Sequence, residues 1–261
     1  MRVAGQPRFH RFGHRILIAI VVSEIFRHDD IAHEFPNLNG SALKESGEAA
    51  LNTSYMHAGK LVNGHVERIR DINVIPSPYL TGAMDEYFDM PLAPMIETTR
   101  GCPFSCTFCA DGIEIKNKVY RFDSERTREE LNYIASKVQN VDELIITDLN
   151  FAMYKYDLPT AEAIAEIQNT YDYPKIISAT AGKNKPKRTI EVASMIKGWV
   201  VGASIQSSDP EVLSAIKRSN ISSSAYQEVI DFGNSLDNSK TLSELILGLP
   251  ADTKEKHLES L

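Results

Sequence analysis

Cysteine is scarce in this chain, with three among 261 residues. An odd and sparse set excludes the disulfide framework of a small secreted domain and suits a reducing, cytoplasmic compartment. Long apolar runs are missing as well. Four arginines (Arg2, Arg8, Arg11, Arg15) precede the run Ile16 to Val22, which superficially resembles a signal peptide. That run is too short to span a bilayer, and no small-x-small cleavage site follows it. It reads as a buried β-strand, so no membrane partner is expected. Positive charge is in deficit, the net charge being -7, which argues against a broad electrostatic grip on nucleic acid. No low-complexity tract occurs, and no internal repeat beyond an alternation described below. What remains is ordinary. An apolar fraction of 43% and a charged fraction of 24% are those of a globular protein long enough for a real core.

The cysteines that are present stand together. Cys102, Cys106 and Cys109 lie in Gly-Cys-Pro-Phe-Ser-Cys-Thr-Phe-Cys, residues 101–109. Thiolates are soft, anionic donors that ligate iron–sulfur clusters well. Spacings of three and two residues let one loop wrap three corners of an iron–sulfur cube. No fourth cysteine closes the last corner, and an iron without a protein ligand can bind a small molecule. Zinc is the main competitor, but a structural zinc site is closed by four protein ligands. A histidine would have to complete it, and His57, His65 and His257 are distant and form no second ligand pair. Three inert buried cysteines are the remaining alternative.

Residues 1–75 are heterogeneous. His28, Asp29, Asp30, His33 and Glu34 lack the spacing of ligands on one helical face and read as a solvated segment. Glu48 to Met56 is a candidate helix, and Lys60 to Glu67, with Asn63-Gly64, reads as a short hairpin. The prolines of Ile75-Pro76-Ser77-Pro78 predict an extended linker over 76–92. From residue 93 the pattern becomes regular. Strands are expected at Ala93–Thr98, Val141–Thr147, Lys175–Thr180, Trp199–Ile205 and Thr241–Leu247. Helices are expected at Ser124–Val138, with Ser124 as N-cap, at Thr160–Asn169 and Arg188–Lys197, from Asp209-Pro210, at Ser224–Leu236 and at Asp252–Leu261. Five β-then-α units imply a parallel sheet with helices outside it. Reactive groups in such sheets collect at the carboxyl ends of the strands, and the cysteine loop directly follows the first.

Cys-x3-Cys-x2-Cys with Phe108 before the third cysteine, approached through Glu97-Thr98-Thr99-Arg100-Gly101, resembles the signature of the radical S-adenosylmethionine (radical SAM) enzymes. Ile75 to Leu80 resembles the linker of the branch that also carries a cobalamin-binding domain. The resemblance spans roughly 47–261 and implies an α/β fold: a partial (β/α) barrel with about five of six βα units and a short irregular N-terminal region. It implies a 4Fe–4S cluster on Cys102, Cys106 and Cys109, with SAM on the open iron. One-electron reduction then cleaves SAM to methionine and a 5′-deoxyadenosyl radical, which abstracts hydrogen from a substrate.

Further site residues are implied by position. Phe108 is similar to the family aromatic beside the adenine. Asp148, Leu149 and Asn150 follow the second strand, where the family holds the SAM amino group, although its usual Gly-Gly-Glu form is missing. Ser204 and Gln206 resemble the ribose- and carboxylate-binding segment, and strand alternation sends both to one side. Gly248, in Leu245-Ile246-Leu247-Gly248-Leu249-Pro250, would let the backbone pass the adenine. Lys183 and Asn184 face substrate, SAM or solvent, and are not assigned.

Two departures accompany the resemblance. The sixth βα unit is missing, which would leave the fifth strand as an unpaired edge. Upstream, the Asp-x-His-x-x-Gly motif of cobalamin-binding relatives does not occur, which argues against cobalamin in this chain; residues 1–75 read as a remnant of that domain. A shortened or fragmentary reading frame, a truncated member of the family, is the expectation that accounts for both. The expected partners are a small-molecule or biosynthetic-intermediate substrate and a one-electron reductant such as flavodoxin or ferredoxin. Alternatives are a tRNA methylthiotransferase-like enzyme and a non-catalytic cluster-binding module of a larger assembly.

Overall fold

The computed structural model describes residues 47–49, 53–65, 67–236 and 241–261. The run Ile16–Val22 and the His28–Glu34 segment lie outside the described residues. The chain divides into two compact units, Met1–Ile69 and Arg70–Leu261.

In the first unit, β1 (Ser54–His57) and β2 (Lys60–Asn63) form an antiparallel hairpin with Ser54 opposite Asn63. The turn is Ala58-Gly59, with φ of 47° and 76°, not the expected Asn63-Gly64. Two successive positive φ values match the twist of a hairpin, and glycine takes the second without strain. Asn63-Gly64 instead closes the far end, where the Gly64 N–H donates to Thr53 O at 2.8 Å. Ser54–Met56, the last part of the helix expected over Glu48–Met56, belongs instead to β1.

The second unit is built from βα alternation. Its strands are β3 (Met95–Ile96), β4 (Thr99–Arg100), β5 (Tyr120–Arg121), β6 (Glu143–Phe151) and β7 (Ile176–Ala181). Its helices are α1 (Ser124–Lys137), α2 (Asp157–Tyr171), α3 (Pro186–Met195), α4 (Pro210–Ala215), α5 (Ser223–Ser235) and α6 (Lys254–Glu259). The main sheet is parallel, in the order β3-β6-β7. The expected fourth and fifth strands are reduced to single parallel bridges, Ile177 with Trp199, Gly202 with Leu242 and Gln206 with Leu245. They continue the same order outward, so the series of five is present with its last two members irregular. Leu242 is 56% and Leu247 77% exposed, and without a buried face on both sides this segment does not make a full ladder. The helix N-cap at α1 is Asp123 rather than Ser124.

Helix periodicity and strand alternation meet in one core. Leu131 and Ile134 of α1, Ala161, Ile164 and Ile167 of α2 and Val192 of α3 pack on Leu144, Ile146 and Ile177 of the sheet. Phe151 meets Trp199 edge-on, with centroids 5.3 Å apart, a preferred aromatic geometry. Segment 76–92, expected as a linker, folds onto this core: Tyr79 and Phe88 are buried in it. The reason is a strand edge. The Tyr79 hydroxyl donates to Met95 O at 2.7 Å and accepts from Met95 N at 3.0 Å, pairing the backbone groups that β3 would otherwise leave unmade.

Asp157 opens α2 and is fully buried. Its Oδ2 accepts from Tyr154 N at 2.8 Å, while Oδ1 has no partner. Burial raises its pKa from 3.8 to about 7, opposed by backbone N–H groups. The folded chain therefore holds a proton there that the unfolded chain has released, and stability falls as pH rises from 3.8 to about 7. Asp157→Asn, which does not titrate, should flatten that decline in urea unfolding at a series of pH values; an unchanged slope would count against the assignment.

Candidate functional site

The cysteine loop leaves the sheet at the carboxyl end of β3 and is tied down at once. Asp148, on β6, is 2% exposed and points its carboxylate at the first residues of that loop. Oδ1 accepts from Thr98 N at 2.7 Å and Thr99 N at 3.1 Å. Oδ2 accepts from Thr99 Oγ1 at 3.0 Å and from Thr98 Oγ1. Burial raises the Asp148 pKa, and these four donors pull against it. Pairing of β4 with β5, Thr99 opposite Arg121, then folds the chain back.

Two glycines allow the tight path that follows. Gly101 has φ +108°, and a Cβ there would lie 2.0 Å from Lys118 O. At Gly112 a Cβ would lie 2.2 Å from Cys106 O. No side chain fits either place. The loop is further pinned by Cys102 N to Lys116 O at 2.8 Å and Thr107 N to Ile216 O at 3.0 Å, so its shape rests on backbone hydrogen bonds from two sides.

The three thiols are free of disulfides, with Cys106 buried and the other two half-buried. Each sulfur accepts one N–H. Asn150 Nδ2 lies 3.4 Å from Cys102 Sγ, Asp111 N 3.4 Å from Cys109 Sγ, and Lys183 Nζ 3.7 Å from Cys106 Sγ. Donors of this kind stabilise thiolate and tune bound iron–sulfur groups. The sulfurs line a cavity wall rather than meeting at a point. Among the described residues, no three His, Cys, Asp or Glu side chains are gathered closely enough for a single ion. A zinc ion draws its sulfurs to about 2.3 Å, whereas a cube keeps its corner ligands apart. The donor set therefore fits a cluster.

The cavity beside them measures about 210 Å³. Of the residues expected from sequence it brings together Cys102, Cys106, Cys109, Phe108, Asn150, Ser204 and Gln206. Asp148 and Gly248 are not among its lining residues. The Asp148 carboxylate is filled by Thr98 and Thr99, so it does not face a ligand. Gly248 has φ +76°, with no protein atom within 4 Å of where a Cβ would stand.

Sequence reasoning missed Arg218 and Glu244, and left Lys183 unassigned; all three line the cavity. Glu244 Oε2 accepts from Ser204 Oγ at 2.6 Å. Arg218 donates to Ser204 O and, through Nε, to Asn220 Oδ1 at 2.9 Å. Lys183 Nζ stands 3.9 Å from the Phe104 ring centroid, and burial lowers its pKa against the pull of Cys106. Gln206 has φ +65°, with its backbone held by Glu244 O and Ile246 N at 2.8 and 3.0 Å. Its Oε1 is buried without a partner. An orphaned acceptor on a cavity wall is the mark of a site shaped for a polar ligand.

A family model for the radical SAM superfamily matches residues 96–261. The chain belongs to that superfamily. It is similar to 2-(S-pantetheinyl)-carbapenam-3-carboxylate methyltransferase of Streptantibioticus cattleyicolor, at 34% identity over 213 residues, which cover 77% of this chain and 30% of that protein. It is also similar to the cobalamin-dependent radical SAM methyltransferase TokK of Streptomyces tokunonensis, at 32% identity over 205 residues, which cover 74% of this chain and 29% of TokK. The chain thus spans about three tenths of the length of these curated relatives. Among solved structures, the radical SAM enzyme OxsB with aqua-cobalamin and SAM bound superposes with a TM-score of 0.56 at 15% identity, over 86% of this chain and 34% of OxsB. The methyltransferase TsrM from Kitasatospora setae gives 0.53 at 17% identity, over 66% of this chain and 34% of TsrM. These likenesses bear out the partial-barrel radical SAM fold; TokK and OxsB are both named as cobalamin-dependent.

The radical SAM loop hangs on Asp148. Asp148→Ala would leave four buried donors without an acceptor and should lower unfolding free energy by roughly 3 kcal/mol, measured by denaturant titration. A loss within error of zero would contradict the clamp.

Proposed function

We propose that Cys102, Cys106 and Cys109 hold a 4Fe–4S cluster, that SAM occupies the adjoining cavity, and that the pair serves a radical modification of a small molecule. The observation that carries this is the position of the three sulfurs: each has its own N–H donor, and all open on one cavity. When bound, the cluster and SAM supply the electron transfer and the 5′-deoxyadenosyl radical general to the superfamily. The residues of this chain supply binding, orientation and shielding.

Their chemistry suits a zwitterion with a nucleoside. Arg218 offers positive charge to a carboxylate. Glu244 and the orphaned Gln206 Oε1 accept from an ammonium or from ribose hydroxyls. Phe108 offers an apolar face to a base. Ser204 is oriented by Glu244 and Arg218, which fixes the irregular segment through which Gln206 reaches the cavity.

Methyl transfer is the reaction class favoured by the names of the two curated relatives. It is preferred here to tRNA methylthiolation, which the acidic balance of the chain also disfavours. TokK is named for cobalamin, but this sequence has no Asp-x-His-x-x-Gly, and no role is assigned to cobalamin among these residues. A one-electron donor of the flavodoxin or ferredoxin kind and a reducing, cytoplasmic setting complete the reading.

Anaerobic reconstitution with iron and sulfide should give a brown protein with about four irons per chain. On reduction with dithionite it should convert SAM to methionine and 5′-deoxyadenosine. Cys106→Ala should lose the iron. A colourless wild-type protein, or a Cys106→Ala variant with full iron content, would refute the ligand assignment, whereas an intact cluster that never cleaves SAM would leave only a binding module.

A further inference from the structure

Lys183 lies just beyond β7, where the chain runs close to its neighbour: a Cβ on Gly182 would stand 2.5 Å from Met153 Cβ. That crowding fixes where the lysine leaves the sheet. Its Nζ is then held by two parts of the cysteine loop, 3.7 Å from Cys106 Sγ and 3.9 Å from the Phe104 ring centroid. Among the described residues it makes no ion pair with a carboxylate. The other cation of the cavity, Arg218, is engaged by Ser204 O and Asn220, and the nearby carboxylate of Glu244 is engaged by Ser204. The counter-charge of Lys183 is the sulfur itself.

The three sulfurs are therefore not equivalent. Cys102 receives a neutral amide and Cys109 a backbone N–H. Cys106 receives a full charge, and at 6% exposure it sits where solvent screens that charge least. Reduction adds one electron, from an external donor, to a centre that is already negative; no proton or leaving group moves in that step. A fixed cation beside a ligand sulfur favours the more negative state.

We infer that Lys183 is a positioning residue that raises the reduction potential of the cluster through Cys106. This rests on the cluster reading above. It is distinct from a role in binding SAM, because the contact is made to the sulfur.

The test is a redox titration of anaerobically reconstituted, SAM-free protein with titanium(III) citrate, followed by electron paramagnetic resonance. Iron and sulfide content are measured first. In Lys183→Met the ratio of reduced to oxidised cluster at the wild-type midpoint should fall about tenfold, a shift of about 59 mV to lower potential for a one-electron couple. Lys183→Arg should restore the wild-type value, and Lys183→Gln replaces the methionine variant where that one does not fold. A fully loaded Lys183→Met or Lys183→Gln protein that titrates with the wild type would overturn the inference. So would an unchanged SAM-free potential accompanied by weaker SAM binding, which would make Lys183 a ligand for SAM instead. Wild-type protein that takes up no iron would refute the cluster reading itself, and with it this inference; the iron assay separates that result from the other two.

Discussion

One buried carboxylate holds the working parts of this molecule in register. Asp148 sits on the central strand β6 and takes all four donors of Thr98 and Thr99, two from the backbone and two from hydroxyls. A carboxylate removed from water is costly unless its lone pairs are filled. Here they are filled by the two residues that lead into the cysteine loop. The loop cannot slide along β6 without uncovering that charge, so the direction in which Cys102, Cys106 and Cys109 leave the sheet is set from below. Backbone hydrogen bonds donated by the loop to the carbonyls of Lys116 and Ile216, and the two positions where only glycine fits, then shape the rest.

The same strand supplies the next layer. Residues 144, 146, 148 and 150 alternate onto the buried face of β6. The first two are Leu and Ile of the core, the third is the clamp, and the fourth, Asn150, donates to Cys102 Sγ. One strand thus runs from core to loop anchor to sulfur within four alternate positions. Opposite it, the irregular segment 204–206 brings a second polar wall. Gln206 adopts a left-handed backbone there and keeps a buried acceptor unused. Strain and an unsatisfied group at one residue are costs that a folded chain carries at functional positions rather than in its core.

Much of this was legible in the residues. The βα alternation identified the sheet, because apolar periods of two and three and a half are distinct over 93–195, where the core is well covered. The cysteine spacing identified the loop, because ligand geometry along a chain is a local property. Legibility stopped where the outcome depended on a distant partner. Asp148 stood at a strand end that the family uses for ligand binding, yet its carboxylate is engaged by Thr98 and Thr99, fifty and forty-nine residues earlier. Arg218 and Glu244 carry no local signal, since one follows a short helix and the other lies on a strand reduced to single bridges. Tyr79 was hidden in a proline-rich stretch whose local preference is extension, and only the open edge of β3 explains why it is buried. The hairpin register turned on Ala58-Gly59 rather than Asn63-Gly64, a choice between two plausible turns that the pairing of Ser54 with Asn63 decides.

The central claim is that three cysteines on a pinned loop leave one iron of a 4Fe–4S cluster open toward a cavity that takes SAM. Electron paramagnetic resonance of the reduced, reconstituted protein tests it most directly, recorded before and after SAM is added. The account predicts a reduced-cluster signal whose g-values shift on adding SAM, as an open iron gains a ligand. A reduced cluster whose signal is indifferent to saturating SAM would contradict it.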